Sequence, residues 1–185
     1  MTEVDLKRPS PRGAVRPTRS LTISVRSGTG TGSTPLSAFD SALRAAGVAN
    51  RNLVYLSSVI PAGSDIRADI EPTEAMGAWG DRLYVVRAEC RVEVHNEEAW
   101  AGLGWVTEEA TGRGLMVEHE GHSRAQVEAN IESSLTELAA RRPGFAEQSR
   151  DRLVCGTTCE SDPVCALVVA AFHSEPWIET EIDLR

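Results

Sequence analysis

The sequence predicts an α+β fold, a layered sandwich in which two main helices cover antiparallel or mixed β-sheets. Three observations carry that expectation. Two segments repeat apolar residues at helical spacing, and several others alternate apolar and polar residues or run apolar over strand lengths. The chain itself, with 185 residues of which 41% are hydrophobic and 25% charged, is sized for one core and not two.

Residues 1–19 read as a flexible basic N-terminal arm, with five cations against Glu3 and Asp5 and no hydrophobic period. Residues 20–185 read as a single domain. Leu21 to Arg26 alternates as a half-buried strand that Gly28-Thr-Gly-Thr-Gly-Ser33 should break. No lysine follows that loop, so a phosphate cradle is not expected; the alternate glycines suit tight turning beside a ligand or another backbone. Thr34 and Pro35 then open a helix as N-cap and first-turn proline. Leu36, Phe39, Leu43 and Ala46 mark its apolar face and Gly47 its end. Asp40 falls at the border of that face, as a directed carboxylate or as a surface acid. Asn52 to Ile60 is the next strand, ended by Pro61-Ala-Gly63, and Ser64 to Arg82 reads as irregular. Leu83 to His95 and Trp100 to Thr107 are strands about a turn at Asn96 to Glu98. After a turn at Gly112 to Gly114, the strand Leu115 to Gly121 sets Met116, Glu118 and Glu120 on one face and Leu115, Val117 and His119 on the other. Ser123 with Gln126 forms a capping-box pattern before a helix through Val127, Ile131, Leu135 and Leu138 to Arg142. Strands near Arg152 to Thr158 and Val164 to His173 complete the chain.

A net charge of -8 argues against nucleic-acid binding and favours a cationic small-molecule substrate. With no run of eighteen apolar residues and no apolar leader in MTEVDLKRPSPRGAVRPTRS, the expectation is a cytoplasmic protein without membrane contact. Cys90, Cys155, Cys159 and Cys165 read as buried reduced thiols. Their C-x3-C lacks a second metal-like pair and the four histidines are scattered, so no metal is expected.

The sole lysine, Lys7, lies in the arm. Pyridoxal phosphate enzymes need a lysine inside the site, so that cofactor is excluded, and amine chemistry would require a carbonyl from another source. Ser57-Ser58 can supply one. Serine pairs are ordinarily strand ends or turns with hydroxyls bonded to backbone, as Ser133-Ser134 within the second helix is read. A serine Oγ can also attack the preceding carbonyl to give an ester if a donor stabilises the oxyanion. Elimination across Cα and Cβ then cuts the chain, and hydrolysis leaves a pyruvoyl ketone at the new N-terminus.

Four stretches, Gly32-Ser-Thr-Pro-Leu-Ser-Ala-Phe-Asp-Ser-Ala-Leu-Arg-Ala-Ala-Gly47, Asn52-Leu-Val-Tyr-Leu-Ser-Ser-Val-Ile-Pro61, Gly114-Leu-Met-Val-Glu-His-Glu-Gly121, and Gly156 with Cys165-Ala-Leu-Val-Val-Ala-Ala171, occur in one order across residues 21–173. In this the chain resembles the pyruvoyl-dependent arginine decarboxylases. The resemblance implies cleavage between Ser57 and Ser58, a β chain of residues 1–57, an α chain of residues 58–185, and a covalent pyruvoyl group from Ser58. It further implies Glu118 as general acid, Asn52 as an oxyanion partner or substrate contact, and Asp40 as the acceptor for the substrate guanidinium. A homotrimer with sites between protomers is implied as well.

On that reading the amine of arginine forms a Schiff base with the Ser58-derived ketone, CO2 leaves, and Glu118 protonates Cα to give agmatine. Glu118 must then be protonated, which a low-dielectric site and the neighbouring Glu120 would favour. His119 and His122 are read as packing or surface residues. The stretch Met76-Gly-Ala-Trp-Gly-Asp-Arg82 is shorter than the family's segment and lacks its Pro-Thr-Ala-Tyr, which keeps open a decarboxylase of a different amino acid. A non-catalytic trimeric binding or regulatory homologue is the alternative from another class. A serine hydrolase would need a base on Ser58 and a Gly-x-Ser-x-Gly elbow, which is lacking.

Overall fold

A computed structural model describes residues 20–68, 77–145 and 148–177. The strands are β1 (Thr22–Thr31), β2 (Asn52–Tyr55), β3 (Val59–Ile60), β4 (Asp65–Ala68), β5 (Arg82–Val92), β6 (Glu98–Glu108), β7 (Gly114–Gly121), β8 (Gln148–Thr158) and β9 (Val164–Glu175), and the helices are α1 (Pro35–Ala45) and α2 (Arg124–Ala140). They form a five-stranded mixed sheet ordered β2-β5-β9-β1-β4 and a four-stranded antiparallel sheet ordered β3-β7-β6-β8.

The period-two pattern explains the layering. Ile23, Val25, Val86, Ala88, Val168 and Ala170 of the first sheet meet Ala101, Leu103, Trp105 and Met116 of the second in one buried core. The opposite face of the first sheet, with Leu83, Val85, Leu167 and Val169, receives α1, and the opposite face of the second, with Val106, Leu115 and Val117, receives α2. β9 is covered on both faces, so its sequence Val164-Cys-Ala-Leu-Val-Val-Ala-Ala-Phe172 is an unbroken apolar run and not an alternation. The order is therefore helix, sheet, sheet, helix, the predicted sandwich.

Several local expectations change. Gly28 and Gly30 do not end β1. They lie inside it, on the face beneath α1, where a Cβ on Gly30 would come within 2.3 Å of Ala38 O and 2.4 Å of Ala42 N. The glycines admit another backbone, one of the two purposes expected of them. The buried face of α1 is accordingly Ala38, Ala42 and Ala46, with Phe39 and Leu43 at its margin and Leu36 68% exposed. Thr34 caps α1 as expected, its hydroxyl accepting from Ser37 N at 3.1 Å, and Gly47 leaves the helix at φ 72°. Ser123 occupies the N-cap of α2 but makes no side-chain cap bond, so the capping box is not realised. The stretch read as irregular contains β4, paired in parallel with β1.

The largest correction concerns Asn52 to Ile60. It is two strands in different sheets: β2 runs beside β5, β3 runs antiparallel to β7, and the chain crosses between the sheets at Leu56-Ser57-Ser58. An apolar run long enough for one strand cannot be told by periodicity from two short ones.

Cys90, Cys159 and Cys165 are buried, and Cys155 is half-buried with its Sγ donating to Leu167 O at 3.2 Å. Glu108, 8% exposed, accepts from Thr111 Oγ1 at 2.5 Å and pairs with Arg113 at 2.9 Å. The Thr111 hydrogen bond and then Arg113 hold its carboxyl below the ordinary value, against the opposing effect of burial. Arg113 also donates to Pro143 O at 3.3 Å, tying the β6–β7 turn to the loop after α2.

Because the two nearest atoms facing Gly30 are backbone, Gly30→Ala should cost about 1–3 kcal/mol through overpacking and lower the melting midpoint by several degrees. Calorimetry showing an unchanged midpoint would contradict the close β1–α1 contact.

Candidate active site

The crossing between the sheets places the two serines at the seam where both sheets end. β2 is the edge of one sheet and β3 the edge of the other. Leu56 N still donates to Val85 O at 2.9 Å, continuing the ladder of β2 on β5, and Met116 N donates to Ser58 O at 2.8 Å, anticipating the pairing of β3 on β7. Between these two anchors the chain must turn, and Ser58 takes φ 63° to do so. The left-handed region costs an L-residue other than glycine roughly 1–2 kcal/mol, and such positions cluster where surrounding structure over-determines them.

Held in that conformation, Ser58 directs its hydroxyl to Glu118, donating to Oε1. Glu118 stands on β7 two residues beyond Met116, on the same face, so the residue that fixes the Ser58 carbonyl and the one that accepts its hydroxyl come from one strand. The predicted facing of β7 holds: Leu115 and Val117 pack under α2, and Met116 packs into the core between the sheets. Glu120, the rival acid, lies farther along near Cys90, whose thiol is pushed up by burial first and by the charge of Glu120 in addition. Both acids are exposed, so the low-dielectric enclosure expected for Glu118 is not seen in this chain.

Neither Asn52 nor Asp40 bonds to Ser58 in this chain. Asn52 begins β2, and the four extended residues to Leu56 alone span about 13 Å. Its Nδ2 donates to Gly80 O at 2.6 Å, an oxygen that also accepts from Trp177 Nε1 at 2.9 Å. Asn52 N donates to Asp81 O at 2.8 Å, and Arg51 donates to Gly77 O at 3.0 Å. These bonds fix residues 77–82; Met76 lies outside the described residues. Asp40 pairs with Arg44 at 2.8 Å across one turn of α1, with its side chain 47% exposed. Its border position is as expected, and what it already binds is a guanidinium.

His119 and His122 have local partners away from Ser58. His119 Nε2 lies 2.8 Å from Ser134 Oγ on α2, and His122 Nδ1 lies 3.0 Å from Glu98 O. Among the described residues no group of three His, Cys, Asp or Glu side chains could hold a metal ion, and no helix is long and apolar enough to cross a membrane.

Sequence reasoning missed the anchoring of Ser58 by Met116 N, because a backbone donor has no residue signature. It also missed the clamp of Asn52 and Trp177 on Gly80, which joins positions far apart in the chain.

A protein-family model described as pyruvoyl-dependent arginine decarboxylase matches residues 22–175. Three proteins of that name are similar to this chain. The one from Thermococcus sibiricus is 29% identical over 136 residues, covering 74% of this chain and 84% of the relative. The one from Halobacterium salinarum is 37% identical over 78 residues, covering 42% of this chain and 48% of the relative. The one from Picrophilus torridus is 30% identical over 115 residues, covering 62% of each chain.

The clamp gives a check on the geometry of Asn52. Asn52→Ala should remove one hydrogen bond to Gly80 O, worth about 1 kcal/mol, and lower the melting midpoint by about 2–4 °C. An unchanged melt would mean that Asn52 does not hold the 77–82 segment.

Proposed function

The chain belongs to the pyruvoyl-dependent arginine decarboxylase family, a family of carbon–carbon lyases, and from that premise we propose that it cuts itself between Ser57 and Ser58 and then converts L-arginine to agmatine and CO2. The observation that carries the reading is the hydrogen bond from Ser58 Oγ to Glu118, made by a serine held at φ 63°.

The residues present suit the formation of a pyruvoyl group at Ser58. As a carboxylate, Glu118 is placed to take the Ser58 hydroxyl proton as Oγ attacks the Ser57 carbonyl carbon. Met116 N holds the Ser58 carbonyl while this happens, so the attacking residue is fixed at its carbonyl as well as at its hydroxyl. The ketone that replaces Ser58 supplies an electrophilic carbonyl for the substrate amine and a sink for the electrons left when CO2 departs. Glu118, bonded to the hydroxyl of the residue that becomes the ketone, is the proposed proton donor to the substrate Cα, and it must hold a proton at that stage.

Asp40 is the proposed acceptor for the substrate guanidinium. Its present partner Arg44 is an exposed i,i+4 pair of small worth, so a substrate guanidinium displacing Arg44 exchanges like for like. Asp40 and Asn52 bond to neither Ser58 nor Glu118 in this chain, and we assign their roles to a site completed between copies, as in a homotrimer. Supporting this, the residues flanking the serines are exposed and apolar, Tyr55 at 58% and Val59 at 57%, and partner chains would cover them and enclose Glu118.

Intact mass should show two chains meeting at Ser57 and Ser58 in the wild type and one chain in Ser58→Ala. Glu118→Gln should slow the cut and lower turnover of arginine at least about 100-fold, while Glu120→Gln should affect turnover much less. A panel of amino acids tests the substrate; equal or faster release of CO2 from a neutral one would sink the role given to Asp40.

A further inference from the structure

We infer that Arg87 is a positioning residue for the new chain end, receiving the carboxylate that Ser57 acquires when the chain is cut. This rests on the self-processing proposed above. In that reaction Ser58 Oγ replaces the Ser58 nitrogen on the Ser57 carbonyl carbon. Removal of the Ser58 Cα proton then breaks the Cβ–Oγ bond, and Oγ leaves with Ser57 as the second oxygen of its carboxylate. Residue 58 is left as a dehydroalanine, which water hydrolyses to the ketone with loss of ammonia. A neutral linkage is thereby replaced by a full negative charge beside Glu118, and two neighbouring carboxylates disfavour one another's ionised forms. The new end is relieved if it turns away from Glu118 towards a cation.

β5 provides that cation at the right level. Tyr55 is paired with Val85, and Leu56 N reaches Val85 O. Extending this parallel register by two residues puts Ser57 level with Arg87. Leu53 packs on the α1 face of the sheet, Tyr55 lies under Arg87 on that face, and Ser57 shares their parity. The Arg87 guanidinium is held between two rings, 4.7 Å from the Tyr55 centroid and 4.8 Å from that of Phe39. Its side chain is only 18% exposed, and its buried Nη1 touches Glu89 without an aligned hydrogen bond. Glu89 is shared with Arg91 at 2.6 Å, so two guanidinium groups stand on one carboxylate, a local surplus of positive charge in a chain of net charge -8. A preorganised guanidinium is well matched to a carboxylate.

The test is a cycle of melting midpoints. Arg87→Met, which keeps a stem between the rings, is compared with Arg87 in the cut protein and in the uncut Ser58→Ala protein. The midpoint should fall by at least about 3 °C more in the cut form than in the uncut form, and Arg87→Lys should recover part of the difference. An equal fall in both forms overturns the assignment and leaves Arg87 as packing alone. If Arg87→Met gives no soluble protein, Arg91→Met replaces it. That change leaves Glu89 wholly to Arg87 and should weaken the cut form selectively, and an equal fall there is equally fatal. Intact mass of the wild type separates the two levels of argument: an uncut chain overturns the processing reading and this one with it, whereas a cut chain with equal falls overturns this inference alone.

Discussion

The backbone hydrogen bond from Met116 to Ser58 O is the constraint on which the site depends. One chain segment must leave the edge of the first sheet, still bonded to β5 at Leu56, and be bonded to β7 two residues later. No extended path satisfies both ladders, so the turn is concentrated in Ser58, which accepts a left-handed conformation. The same bond sets the distance along β7 from Met116 to Glu118, and hence the meeting of hydroxyl and carboxylate. That meeting is thus a by-product of joining two sheets, with the strain of one residue offset by the ladders on either side.

The architecture was legible wherever period and burial agree. β5, β6, β7, β9 and α2 were all expected close to their observed positions, because their apolar residues fall at strand or helical spacing or, in β9, run unbroken over a strand's length. What was not legible depends on contacts between distant residues. The glycines of β1 look like a break until α1 is laid across them, and then they are the reason that Ala38 and Ala42 can approach. The run from Asn52 to Ile60 carries no mark of the point where it changes sheets. The serine pair drew notice only through the absence of a lysine and the company of Asn52, Glu118 and Asp40.

Within the site, the resemblance implied separate roles for Ser58 and Glu118, and the hydrogen bond from the Ser58 hydroxyl to Glu118 was not part of that expectation. Nor did the sequence reading foresee that Asn52 would be occupied with Gly80 or that Asp40 would hold Arg44. Both are polar residues satisfied locally in a single chain, and nothing in residue identity separates a local partner from one that a neighbouring protomer or a substrate would offer. The cluster of Arg87, Glu89 and Arg91 was likewise hidden, since on paper it is an alternating polar stretch of a strand.

The interleaving of strands has a mechanical meaning. A cut after Ser57 would leave β1, α1 and β2 on the smaller piece, yet β1 lies between β9 and β4, and β2 lies against β5, all of the larger piece. The smaller piece is woven into the middle of a sheet and not laid on its surface. Its escape would require β1 to abandon two ladders and the core between the sheets at once, which is the same event as melting the domain. A nicked molecule would therefore still fold and unfold as one cooperative unit, and its two pieces would not trade places with those of other molecules on any timescale shorter than that of global unfolding.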